Sequence, residues 1–181
     1  MLAFGMAPAV RAKDTIDWKE LDGWRIVVDR SLKDGCFMLW IGERGTIVRI
    51  GFNDDRRLYW MLGHSNWKSL ERGKRYRISV NFDGASPFNG DMTGFQLGDT
   101  MLLFVAIDRA FLEQFMRSHS MDVAFGDRPV ASIKLRGSYA AGEEMLYCQA
   151  SIDGNRPSSG SGGRDPFATS PGSAPSRDPF R

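Results

Sequence analysis

The chain has 181 residues, of which 42% are hydrophobic, 25% charged and 12% aromatic, with a net charge of +2 at pH 7. That size and mixture suit one globular domain with a sizeable core, and exclude wholesale disorder, collagen-like repetition and a small disulfide scaffold. Near-neutral charge without a basic run excludes the electrostatic footprint of a dedicated nucleic-acid binder, and no apolar run is long enough for a transmembrane helix.

Residues 1–12 (MLAFGMAPAVRA) are apolar and small, with one charge at Arg11. They have the character of the back half of a secretory signal peptide. Leu2 to Val10 would end its apolar core, and Val10-Arg11-Ala12 sets small residues three and one before a cut ahead of Lys13. The expectation is a remnant of a signal whose start lies further upstream.

A β domain is expected over residues 15–152. Trp24 to Val28 reads as a strand, Asp34-Gly35 as a turn, and Cys36 to Ile41 as the returning strand. Turns at Glu43-Arg44-Gly45 and Asn53-Asp54-Asp55 introduce strands over Thr46–Phe52 and Leu58–Leu62. Between Arg75 and Phe82 apolar and polar residues alternate, with Tyr76, Ile78, Val80 and Phe82 on one face, as in a half-buried antiparallel strand. The loop from Asp83 to Asp91 reads as a turn-rich hairpin connection. Met101 to Ile107 is wholly apolar, as an interior strand would be, and Val130 to Leu135 is the last strand.

Two helices interrupt the strands. Asp108 is placed to cap one that carries Phe111, Leu112, Phe115 and Met116 on a single stripe. Ser138 is placed to cap a second, with Glu143 and Glu144 near its positive end and Ala141, Met145 and Cys148 on one face. Short strands joined by turns predict a mainly β fold, an antiparallel sandwich or open barrel with two short helices.

Residues 154–181 hold five Gly, five of the eight Pro and six Ser, and no Val, Ile, Leu or Met. Such a segment cannot bury enough surface to offset its ordering entropy, so a disordered tail is expected. It repeats Arg164-Asp165-Pro166-Phe167 as Arg177-Asp178-Pro179-Phe180. Asp-Pro-Phe repeats resemble adaptor-binding motifs of endocytic proteins; an accident of low complexity produces the same pattern.

Chemistry-bearing motifs are few. The chain has two cysteines and two histidines, with no CxxC, no HExxH, no GxSxG and no phosphate-binding glycine loop, so neither metal nor cofactor is expected. Asp83, Asn89 and Asp91 share a loop but lack the alternating acidic pattern of a calcium site. His64, in Gly63-His64-Ser65-Asn66, follows a strand and stands near Asp54 and Asp55 in sequence. It marks either a turn or a base for a hydrolytic triad with Ser65 or a nearby carboxylate. His119 suits a cation at the negative end of the first helix. Of five tryptophans, Trp67 in its polar loop is the one expected to be exposed, and His64, Asn66 and Trp67 form the candidate binding surface.

An even count of two cysteines in an exported chain allows one pairing, Cys36 with Cys148. The bond would fasten the last helix to the start of the sheet.

Several phrases are similar to small secreted or periplasmic proteins of α-proteobacteria labelled invasion-associated locus B-like. These are Trp24, Gly35-Cys36-Phe37-Met38, Asn66-Trp67-Lys68-Ser69-Leu70 with Gly73-Lys74-x-Tyr76, and Leu135-x-Gly137-Ser138-x-Ala140-Ala141 followed by Cys148. The family pattern has a cysteine shortly after the first Trp where this chain has Val27-Val28, so the cysteine pairing differs. The resemblance implies an envelope β-sandwich without enzymatic role. The functional expectation is therefore an exported protein that binds a protein partner or the cell wall, the alternative being a hydrolase built on His64.

Overall fold

The computed structural model describes residues 14–154. The segment expected to be a signal-peptide remnant (1–12) and the expected tail after Gly154, with both Arg-Asp-Pro-Phe segments, lie outside the described residues.

Ten strands form one antiparallel sheet: β1 (Thr15–Leu21), β2 (Trp24–Asp29), β3 (Gly35–Ile41), β4 (Thr46–Phe52), β5 (Leu58–His64), β6 (Arg75–Phe82), β7 (Phe88–Leu97), β8 (Thr100–Ala106), β9 (Ser120–Phe125) and β10 (Arg128–Lys134). Their spatial order is β1-β2-β3-β4-β5-β8-β7-β6-β9-β10. Helix α1 (Arg109–Arg117) joins β8 to β9, and α2 (Ser138–Gly154) follows β10. The architecture is mainly antiparallel β with two helices, as expected, and it is one open sheet. Among the described residues no pairing joins β1 to β10.

The sheet curls because its inner face is apolar almost throughout. Trp24, Ile26, Val28, Met38, Val48, Ile50, Trp60 and Leu62 from one half join Ile78, Val80, Phe82, Met121, Val123 and Ile133 from the other in a single cluster. Helix α1 supplies Phe111, Leu112, Phe115 and Met116 to it, the predicted stripe, and Asp108 caps α1 by accepting from the Phe111 N–H at 2.8 Å. At one corner the two ends of the sheet approach. The indole N–H of Trp24, on β2, donates to the Arg136 carbonyl beyond β10 at 2.9 Å.

Helix α2 packs against α1 and against β1, β2 and β3. Its first residue does not act as the expected cap. The Ser138 hydroxyl is buried and reaches back to the Phe115 and Met116 carbonyls at 3.4 and 3.3 Å, tying α2 to the end of α1. Ala141, Met145 and Cys148 are buried on the face the sequence assigned to them.

Three strands, β1, β7 and β9, run through segments with no clear strand signal in their residues. Strand β1 is an edge, exposed along nearly its whole length. Strand β7 is split between two partners. It pairs with β8 only from Leu97↔Thr100 to Thr93↔Phe104, and beyond that it continues to Phe88 beside β6 alone. Strand β8 likewise continues to Ala106 beside β5 alone. The sheet therefore parts between the first half of β7 and the end of β8.

Candidate functional site

The two cysteines meet. Cys36, at the start of β3, is bonded to Cys148 on the buried face of α2 across 112 residues, with Cα atoms 6.1 Å apart. Both are fully buried. Beside the bond, the Cys36 N–H donates to Gln149 Oε1 at 2.8 Å, so a buried glutamine satisfies a donor at the strand's start. At the end of the helix Asp153 pairs with Arg56, from the β4–β5 turn, at 3.0 Å. Disulfide, amide and ion pair hold the second half of α2 on the sheet.

The corner after β5 gathers the expected binding residues, but differently from expectation. His64 Nδ1 accepts from the Asn66 N–H at 3.0 Å, and the imidazole stacks on Trp67 with ring centroids 6.2 Å apart. Trp67 is only half-exposed, because its other side packs on the core beside Leu70 and Tyr76. The tryptophan that stands out from the surface is Trp18, on β1. The polarity of residues 63–69 suggested exposure, and Ser65, Asn66, Lys68 and Ser69 are exposed, but the indole among them turns inward onto the core.

His64, Ser65 and Asp99 line one shallow pocket. No hydrogen bond among the described residues links the imidazole to Ser65 or to a carboxylate. Ser65 instead lies against Gly45 in the β3–β4 turn, its N–H donating to the Gly45 carbonyl at 3.1 Å. Asp54, near His64 in sequence, is drawn toward Lys33 at 4.0 Å, and Asp55 to Arg57 at 3.2 Å.

The expected loop from Asp83 to Asp91 ends at Pro87, since Asn89 and Asp91 are already paired with β6 on β7, and its acidic residues go separate ways. Asp83 accepts from the backbone N–H groups of His119 and Ser120 and from the Ser120 hydroxyl. Those bonds, the one from His119 first, hold its carboxyl below the usual range. Asp91 faces Arg77 at 3.8 Å. Among the described residues no group of three or more His, Cys, Asp or Glu side chains is placed to hold a metal. His119 lies two residues past α1, with its ring exposed and Nδ1 3.6 Å from Asp83.

On the outer face of the sheet, an ionic cluster is buried that sequence reading missed. Arg49, on β4, donates to Asp29 of β2 at 2.7 Å and to the Tyr59 hydroxyl of β5, and its guanidinium lies 3.7 Å from the centre of the Phe37 ring. Burial pushes the Tyr59 phenol up to about 12, against the pull of Arg49. The four residues come from four adjacent strands, so no local spacing announces them.

A second surface group joins β1 to α2. Glu144 accepts from the Trp18 indole at 2.9 Å and from Lys19 at 2.7 Å, and these bonds, Lys19 first, hold its carboxyl low. Trp18 meets Tyr147 edge-on at 6.3 Å, and Tyr147 and Tyr139 are both exposed along α2.

No family model matches this chain. No curated protein matches it either. Among solved structures, the crystal structure of invasion associated protein B from Bartonella henselae is similar, with a TM-score of 0.54 at 12% identity, over 73% of this chain and 97% of that one. At that identity the likeness shows a shared fold, which is as far as the resemblance read from the sequence extends.

Proposed function

We propose that this protein is exported and works in the cell envelope as a binding protein whose partner is another protein or the cell wall. The Cys36–Cys148 disulfide carries this reading, since such bonds form and persist in oxidising compartments and are rare in a reducing cytosol. The shared fold with the Bartonella protein supports it, and that protein's name makes contact with a host surface the finer form of the proposal. Support for binding comes from the exposed Trp18, Tyr139 and Tyr147, aromatic side chains of the kind that anchor protein and carbohydrate contacts.

Fractionation with thiol alkylation tests the reading. Protein from expressing cells should appear outside the cytosol, begin at Lys13 by mass spectrometry, and take up no alkylating reagent unless reduced. Cytosolic protein with two alkylatable thiols overturns it. A hydrolytic alternative draws on the pocket shared by His64, Ser65 and Asp99. If it holds, His64→Ala abolishes an ester-, peptide- or glycan-cleaving activity of the purified protein. If the binding reading holds, that substitution changes no such activity.

A further inference from the structure

Between the end of α1, the end of β10 and the start of α2 lies an open hollow of about 620 Å³. Buried Met116 and Leu135 back it, and exposed Arg117, Lys134, Arg136 and Tyr139 surround it. The backbone brings these side chains together. The Leu135 N–H donates to the His119 carbonyl at 2.9 Å, so the segment leaving α1 runs beside the segment leaving β10. Leu135 is buried between exposed Lys134 and Arg136, as alternation along an extended chain sets the two cations on one side. The Arg136 carbonyl accepts from the Trp24 indole, so its side chain projects from a fixed point.

Nothing on the described chain answers this charge. Among the described residues, none of Arg117, Lys134 and Arg136 has an ion-pair partner. Of the nearby carboxylates, Asp83 is bonded to the backbone beyond α1 and Glu113 is paired with Arg109. Asp22 lies against Gly137, and Glu143 shares the next groove with Arg117 without pairing to it. Like charges gathered around one hollow raise one another's energy, and an anion between them lowers it. The start of α2 adds to the same field. Because the Ser138 hydroxyl reaches back to α1, it leaves the first N–H groups at the helix's positive end uncapped.

We propose that this hollow binds the phosphate group of an organic phosphate monoester, whose organic part lies against Tyr139 and Met116. The class follows from the donors. Two arginines offer planar, paired N–H groups suited to an oxyanion, and Lys134 adds a third positive charge. A phosphate monoester carries close to two negative charges at neutral pH, which answers this set better than the single charge of a carboxylate. The apolar backing favours a phosphate that carries an organic body over the bare ion. No basic run continues from the hollow along the chain, so the fit is to one phosphate group and not to a polyanion. The proposal gives the binding role above a ligand class and rests on it for its biological sense. Loss of the export reading leaves the titration below standing, and a failed titration leaves the export experiment untouched.

Three probes separate the terms: phenyl phosphate; benzenesulfonate, of similar shape with a single charge; and inorganic phosphate, without the ring. In ¹H–¹⁵N spectra of the oxidised full-length protein at pH 7 and low ionic strength, phenyl phosphate should shift the Gly137 and Tyr139 amide resonances saturably. Benzenesulfonate should bind about fivefold more weakly, and inorganic phosphate more weakly than phenyl phosphate. Arg117→Gln, Lys134→Gln and Arg136→Gln should each weaken phenyl phosphate about fivefold at unchanged melting temperature, since all three side chains are exposed. Arg44→Gln, which removes an exposed cation from the β3–β4 turn, should change nothing. Absence of a saturable shift, binding of benzenesulfonate or inorganic phosphate equal to that of phenyl phosphate, or losses in the three variants no larger than in Arg44→Gln each overturns the proposal.

Discussion

Arg49 and Asp29 form an ion pair at 2.7 Å on the outer face of the sheet, with both side chains less than a tenth exposed. Two strands separate β2 from the Tyr59 strand, and Arg49 bridges the gap by lying on Phe37. Such a pair is costly to break from one side, because the survivor keeps its charge without its partner. Arg49→Met should cost about 3–5 kcal/mol in urea unfolding at pH 7. Adding Asp29→Asn should recover part of this, since a neutral amide replaces the stranded carboxylate and can still accept from Ser31. A single-variant loss below about 1 kcal/mol would mean that water already serves the pair.

Tyr59 gives an alkaline signature. Its folded pKa of about 12 lies above the ordinary 10, so the unfolded chain releases this proton first. The stabilising contribution is therefore whole below pH 10 and lost as pH rises from 10 towards 12. Comparing urea midpoints of the wild type and Tyr59→Phe across that window isolates the group. The wild type should lose about 2–3 kcal/mol more than the variant. Parallel curves would contradict the burial of the phenol.

Asp83 acts at the opposite end of the scale. A carboxyl held below its usual range contributes stability above the unfolded pKa, and loses it as pH falls through the lower folded value. Asp83 has φ +50°, a conformation that asparagine tolerates. Asp83→Asn should thus be less stable than wild type at pH 6 and converge with it near pH 2. Chemical denaturation at the two pH values checks this; a constant gap would show that the charge is immaterial.

Removing the disulfide should cost about 3 kcal/mol, with a fall in melting temperature of about 10 °C. Cys36→Ala with Cys148→Ala measures it without free thiols. The loop closed by the bond is long, which favours a large effect, while Gln149 and the Asp153–Arg56 pair keep part of the α2 attachment in place. A change under 2 °C would make these polar contacts sufficient by themselves.

Truncation after Asp153 should leave the melting temperature nearly unchanged, since the removed residues include no Val, Ile, Leu or Met. Calorimetry of the two forms decides it. A drop of more than a few degrees would assign Phe167 or Phe180 a contact with the domain.

Strands β2 to β6 and β8 were legible because each carries a run of apolar or alternating residues between turns. Strand β1 was not. As an edge it buries almost nothing, so Thr15–Leu21 has no burial pattern to betray it. In β7 one of the glycines that mimic a turn has a tertiary cause, the close approach of the Glu71 carbonyl at Gly94, whereas a Cβ at Gly90 would meet nothing within 4 Å. The disulfide was legible by counting, since two cysteines allow one pairing. The Asp29–Arg49–Tyr59 cluster and the parting of β7 from β8 were not. One assembles across four strands, and the other is a missing stretch of ladder, which exists only once β7 and β8 have found their separate partners.

The Trp24–Arg136 hydrogen bond and the Cys36–Cys148 bond each span 112 positions, both linking the first third of the chain to its last. A ribosome or translocation pore delivers the N-terminal end first. Strands β2 and β3 can pair early, but their inner face stays uncovered and Cys36 stays a free thiol until residue 148 emerges. The domain is therefore finished in a single late event, and the interval before it is when a wrong thiol or a wrong apolar neighbour has its chance. A catalyst of thiol exchange or a holding chaperone would matter most in that interval and little afterwards, when Cys36 and Cys148 are both shut inside.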